Sequence, residues 1–304
     1  MMRHGRYPFI VGFLIVPVTI YVTFVIAPYL QAFYLAMTNW RGVSANPKFI
    51  GLDNFQRLLQ DDIFWKAIRH HGVLLLVLPL VAIAIALVFA FLLNVGGGSR
   101  GGTLRGVWGS NFYRIVFFFP QVLAVVIIGV IFRRVYAPDE SGLLNGLLGV
   151  FGIDPIPIMA DRNIALFAII AVLVWQAVGF YVVLFSAGMA SVPKDIYEAA
   201  VLDGAGRASM FFRVTLPLLR DTLQVAWVYL GIAAFDAFAI VQVLSIEQGG
   251  PDGATTVLGM EIYRNAFSYS QMGYASAMGV ALFFVTITFA ALTLRVSRRE
   301  TIEL

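Results

Sequence analysis

The sequence predicts an all-α polytopic membrane protein with six transmembrane helices, and three observations carry that reading. Hydrophobic residues make up 60% of the 304 and charged residues only 12%, about half the charged share of an ordinary soluble domain. The apolar residues gather in blocks, and six blocks reach the roughly 20 residues that a helix needs to cross a hydrocarbon core about 30 Å thick. Backbone groups in lipid must be satisfied within their own segment, so blocks too long for strands are read as helices.

The chain is read as one transmembrane domain over 1–304, with spans at about 8–37, 72–94, 112–132, 164–189, 218–244 and 274–294. The first block follows Met1-Met2-Arg3-His4-Gly5-Arg6, which has the charged start of a signal peptide. It is too long for one and lacks a small-residue cleavage site before Thr38-Asn39-Trp40, so an uncleaved span is expected. Pro17, Pro28, Pro79 and Pro120 fall inside spans and are expected to kink them, because a proline removes one backbone bond. Six spans put both termini on one side. Placing that side in the cytoplasm gives it 12 of the 21 Arg and Lys, and Arg295, Arg298 and Arg299 directly abut the last span.

Between the first two spans, Phe55, Leu58, Leu59 and Ile63 recur at helical spacing beside Phe64-Trp65, as expected of a short interfacial helix. Leu143 to Phe151 forms a similar apolar stretch in the second outer loop. His70-His71 open the second span, where an interfacial position accounts for them.

Several chemistries are excluded. There is no cysteine, and three histidines are too few for a histidine-built metal site. Gly96 to Gly102 lacks the Gly-Lys-Ser/Thr ending of a phosphate cradle and reads as a flexible cytoplasmic linker. No basic face with interleaved aromatics suggests nucleic acid. No nucleophile elbow or paired intramembrane carboxylate supports an enzyme, and any ATP and Mg²⁺ would have to be bound by a partner.

The most informative stretch is 191–217, between spans four and five. Pro193 suits a first helical turn, Asp195 complements its dipole, and Gly204 and Gly206 permit the left-handed turn that ends it. Ala199 and Ala200 allow another protein's surface to approach, and Glu198 offers it a carboxylate. This stretch resembles the membrane subunits of ABC importers, whose signature is Glu-Ala-Ala, three residues, Gly, nine residues, Ile-x-Leu-Pro. Glu198-Ala199-Ala200, Gly204 and Val214-x-Leu216-Pro217 match in register, with Val in place of Ile.

The resemblance covers nearly the whole chain and selects the carbohydrate branch, the maltose and glycerol-3-phosphate type. It rests further on Phe49 to Phe55, Phe119-Pro120, Gly142 to Asn145, Trp175 to Gly179, Gly249-Gly250-Pro251, Thr255-Thr256, Ile262 to Phe267 and Met272 to Ala277. It implies the type I importer permease fold in its compact six-span form. It also implies that Glu198, Ala199, Ala200, Asp203 and Gly204 couple to an ATPase dimer, and that a second permease and an extracytoplasmic solute-binding protein complete the assembly in the cell membrane.

Asp236 is the clearest intramembrane carboxylate, and a charge there is expensive enough to mark function. With Gln176, Tyr181, Tyr229 and Gln242 it forms the candidate pathway for a sugar-like solute, and Gln121 and Ser186 are further candidates; amides and phenols suit hydroxyl-rich ligands. Interhelical hydrogen bonding is the alternative role for each. The alternative function is an autonomous secondary transporter or channel, which inverted repeats would mark; no convincing repeat is seen, and an intramembrane enzyme ranks last because Asp236 has no evident catalytic partner.

Overall fold

The computed structural model describes residues 6–43, 47–95, 99–100, 103–104 and 107–297. The Gly96 to Gly102 linker falls mostly outside them, as do Arg3, His4, Arg105, Arg298 and Arg299. The chain begins with α1 (Arg6–Tyr21), a π-helical turn (Val22–Ile26) and α2 (Ala27–Ala36). Pro28 explains the wide turn. It cannot bond the carbonyl four residues back, and the backbone widens to an i to i+5 bond from Ala27 N to Val22 O.

There follow α3 (Asp53–Leu59), α4 (Asp62–Asn94), the two-residue strands β1 (Ser99–Arg100) and β2 (Thr103–Leu104), α5 (Ser110–Val122) and α6 (Val125–Val135). β1 and β2 pair antiparallel, Ser99 opposite Leu104 and Arg100 opposite Thr103. α4 runs continuously through Pro79. The third block, expected as one span at 112–132, is instead two helices bent by 98°. Leu123 and Ala124 are extended (ψ 137° and 136°) three residues past Pro120, so the kink becomes a corner.

Next come α7 (Leu143–Val150), α8 (Ala165–Ser191), α9 (Lys194–Leu202), the single turns α10 (Arg207–Ser209) and α11 (Leu216–Leu218) either side of a π-helical turn (Met210–Thr215), α12 (Arg220–Phe235) and α13 (Phe238–Leu244). The expected fifth span is also divided, α12 and α13 meeting at 49° around Asp236 and Ala237. The described chain closes with α14 (Leu258–Tyr263) and α15 (Met272–Ser297). Four helices are long and apolar enough to cross a bilayer, within Ile10–Ala36, Asp62–Asn94, Ala165–Ser191 and Met272–Arg295; each bent pair supplies one more.

Contacts divide the chain into two compact units, Met1–Trp65 with Glu261–Val285 and Lys66–Met260 with Thr286–Leu304. In the first, Gly273 lies against the Thr38 carbonyl with no room for a β-carbon, and Phe33 meets Phe283 and Phe284 edge to face. Asn54 donates from Nδ2 to the Ala36 and Thr38 carbonyls, both at 2.8 Å, closing the end of α2. Asp61 caps α4 by accepting the Ile63 and Phe64 N–H groups on Oδ1 and takes the Tyr274 hydroxyl on Oδ2 at 2.6 Å. Arg57 lies over the Tyr274 ring at 4.0 Å. α3 is the short helix expected there; Leu58 is buried, while Leu59 and Ile63 are exposed.

The second unit holds the main core, in which α8 contributes most of its length, from Ala165 to Met189. Gly179 on α8 lets α5 approach so closely that a β-carbon would overlap the Phe117 carbonyl. Gly129 on α6 likewise meets Val243 on α13, so the short halves of the two broken spans pack together. Buried His71, expected to be interfacial, also has a packing role. Its Nδ1–H donates to the Ala234 carbonyl at 3.1 Å and its Nε2 accepts the Leu258 N–H at 3.1 Å, which fixes the neutral tautomer and pins α12 and the start of α14 to α4. Fully buried Asn145 ties the loop between α6 and α8 together by donating to the Ala137 and Ile156 carbonyls and accepting the Ile156 N–H.

Candidate substrate pathway and coupling loop

A cavity of about 550 Å³ sits where the two broken spans come closest to α8. Gln121 and Val125 border it from the corner between α5 and α6, Asp236 to Ile240 from the break between α12 and α13, and Gln176 to Tyr181 from α8. Tyr229 enters from α12, 64% exposed, whereas Tyr181 is buried against the wall. Four of the five pathway candidates, Asp236, Gln176, Tyr181 and Tyr229, thus line one space together with Gln121.

Asp236 does not sit within a continuous helix. It is the C-cap of α12 (φ −97°, ψ 22°), and the break turns its carboxylate into the cavity wall with no cation among the lining residues. Phe180 and Phe238, which sequence reasoning missed, add aromatic faces. Amide, carboxylate and phenol groups between aromatic rings can take the hydroxyls and the apolar faces of a saccharide. Gln242 lies outside this cavity on α13, its Oε1 buried without a hydrogen bond among the described residues. Ser186 is also elsewhere, accepting from the Asn94 amide at 2.8 Å.

In sequence, residues 72–301 match the family described as binding-protein-dependent transport system inner membrane component. This chain belongs to that family. It is 45% identical over 300 residues to the diacetylchitobiose uptake system permease protein NgcF of Streptomyces coelicolor, covering 98% of this chain and 84% of that protein. It is 33% identical over 292 residues to the multiple sugar-binding transport system permease protein MsmF of Streptococcus mutans, covering 94% of each. A solved bacterial ABC transporter for alginate import shares its fold, with a TM-score of 0.80 over 97% of each chain at 22% identity. The chain is therefore a multi-pass ABC importer permease that works with a binding protein, and it is a transport component rather than an enzyme. Membership in this family sets aside the autonomous transporter.

The segment expected to couple, 191–217, is built on α9. Pro193 is its N-cap (ψ 133°), one position earlier than the first-turn expectation. The helix ends in a Schellman turn. Ala205 N–H donates to the Ala200 carbonyl at 2.9 Å and Gly204 N–H to the Val201 carbonyl at 3.0 Å, with Gly204 left-handed at φ +77°. Gly206 is extended (φ −71°, ψ 169°) and caps α10, so only one of the two expected left-handed glycines is one. Ala199, Asp203 and Gly204 are exposed and Glu198 and Ala200 half-buried. Leu202, absent from the sequence reading, is 87% exposed at the helix tip. Tyr197 is buried beneath α9, and that burial raises its phenol pKa against the opposing influence of Thr215. Pro217, lacking its N–H, follows a π-helical turn in which the Thr215 hydroxyl donates to the Met210 carbonyl at 3.1 Å.

Proposed function

We propose that this permease forms half of the translocation path of an ATP-driven importer for a sugar-like solute. The observation that carries the reading is the cavity at the two helix breaks, where Asp236, Gln121, Gln176, Tyr181 and Tyr229 converge. The saccharides in the names of the two relatives support the same class. A second, homologous permease completes the path, and an extracytoplasmic binding protein delivers the solute.

An ATPase pair binds ATP and Mg²⁺ and engages α9, where Glu198, Ala199, Ala200, Asp203 and Gly204 form the contact and Leu202 adds an apolar knob. Both termini lie in the cytoplasm with α9. The hydrogen bonds of Asn94 to Ser186 and Arg114 support that topology, because they hold the end of α4, the end of α8 and the start of α5 at one level.

The test is Glu198→Arg in the assembled importer. The variant is expected to insert at wild-type abundance, to lose uptake and to lose the stimulation of ATP hydrolysis by the binding protein; normal uptake would refute the coupling assignment. Because the chain lacks cysteine, Leu202→Cys gives a single site for membrane-impermeant thiol labelling, which should react from the cytoplasmic face alone.

A further inference from the structure

We propose that Asn94, Arg114 and Ser186 form a transmission hub that makes α4, α5 and α8 follow the movement of α9, with Arg114 as its positioning residue. The inference rests on the coupling reading of α9 given above. Asn94 is the last residue of α4. Its Nδ2 donates to the Ala90 carbonyl at 2.7 Å, which satisfies a helix-end acceptor, and to the Ser186 hydroxyl on α8 at 2.8 Å. Its Oδ1 accepts Arg114 Nη2 from α5 at 2.6 Å. One amide therefore ties three membrane helices together, and a neutral amide is needed because a carboxylate has no N–H for Ala90 and Ser186.

The hub borders α9. Asn94 lines a cleft of about 230 Å³ with Met189 at the end of α8 and with Lys194, Tyr197 and Glu198 on the coupling helix. α9 follows α8 after Val192 and Pro193 alone, so a short helix displaced by a partner will bend that joint unless neighbouring helices are tied to α8 close beside it. The Asn94 bridge supplies the tie.

The cation that α5 brings to this junction depends on the same amide. Arg114 Nε is buried without a hydrogen-bond partner among the described residues, and Arg114 has no carboxylate within ion-pair distance there. The bond to Asn94 is therefore what holds the buried guanidinium of α5 at the hub, so losing it would release α5 from the tie.

Electron spin resonance on the complete importer in lipid discs tests this, with spin labels at Leu202→Cys on α9 and Phe112→Cys on α5, both exposed. The distance is expected to keep one narrow peak in the nucleotide-free and ATP–vanadate states, because α9 and α5 move together. With Arg114→Leu the peak should broaden or split, and Arg114→Lys, which keeps the charge but not the fork, should fall between. A shift of more than one helical turn, about 5.4 Å, between the two states of the parent protein would overturn the hub, as would an Arg114→Leu peak as narrow as the parent's. If Arg114→Leu does not assemble, Ser186→Ala, which removes one hub bond without stranding a charge, is read the same way. Glu198→Arg in the same discs separates the two ideas: retained stimulation by the binding protein defeats the coupling reading itself, whereas lost stimulation with a narrow Arg114→Leu peak defeats the hub alone.

Discussion

Gly179 rests against the backbone of Phe117 so closely that any β-carbon at 179 would overlap the Phe117 carbonyl oxygen. The contact sits beside the cavity wall to which Gln176, Ala177, Phe180 and Tyr181 contribute. Backbone cannot yield as the end of a side chain can. Gly179→Ala is therefore expected to destabilise the permease by about 3 kcal/mol or to separate the two helices. Thermal unfolding of the purified complex and its yield in the membrane measure this, and Gly149→Ala, where a β-carbon meets nothing, is the matched control.

The cavity makes a prediction about uptake. Tyr229→Ala removes an exposed ring from its wall and should lower saccharide uptake about tenfold at unchanged membrane abundance, in line with the worth of a single aromatic contact. Asp236→Leu should abolish uptake, since it withdraws the cavity's carboxylate. Gln242→Ala, outside the cavity, should leave uptake within about twofold, because its Oε1 makes no hydrogen bond to lose. Initial rates of labelled saccharide entry into proteoliposomes distinguish the three.

Gly204 carries the turn after α9 at φ +77° with open space around its α-carbon, so a substitution there tests backbone conformation without steric clash. A left-handed conformation costs an ordinary L-residue about 1–2 kcal/mol. Asparagine tolerates it best and a β-branched residue worst. Uptake should therefore fall in the order Gly204, Gly204→Asn, Gly204→Ala, Gly204→Val; an equal loss for all three variants would show that the side chain itself obstructs the partner.

Glu261 is buried in the first unit, and that burial raises its carboxyl pKa above the usual range; nearby Arg264, paired at 2.8 Å, opposes the shift and Asp61 adds to it. The folded state then holds this proton more tightly than the unfolded state. Its stabilising contribution is present below the ordinary carboxylate pKa and is lost as pH rises through the raised one. Glu261→Gln removes the titration, so the melting temperature of the natural protein should fall relative to the variant as pH rises through that window. Parallel melting curves would refute the shift.

Much of this was legible in the chain because apolar block length and proline position are one-dimensional signals. The blocks around Leu74, Ile169 and Ala277 announced spanning helices, and Glu198 to Pro217 matched the family signature by spacing alone. The corner at Leu123 and Ala124 was only half legible, since Pro120 marks a weakness but the 98° turn depends on what α6 packs against. The packing role of His71 was illegible for a related reason. An adjacent histidine pair at the head of an apolar block reads as interfacial, and only the folded chain brings the Ala234 carbonyl and Leu258 N–H, 163 and 187 residues away, to the two sides of its ring.

The sequence by itself determined the solvent, the number of apolar blocks and the family, because each is written in local composition or fixed spacing. Tertiary structure alone decided which polar residues share a cavity, separating Gln242 from Asp236 six positions away. It also decided that Asn94, Arg114 and Ser186 meet. Helical phase and the two breaks determine where each side chain points, and those follow from packing between segments far apart in the chain.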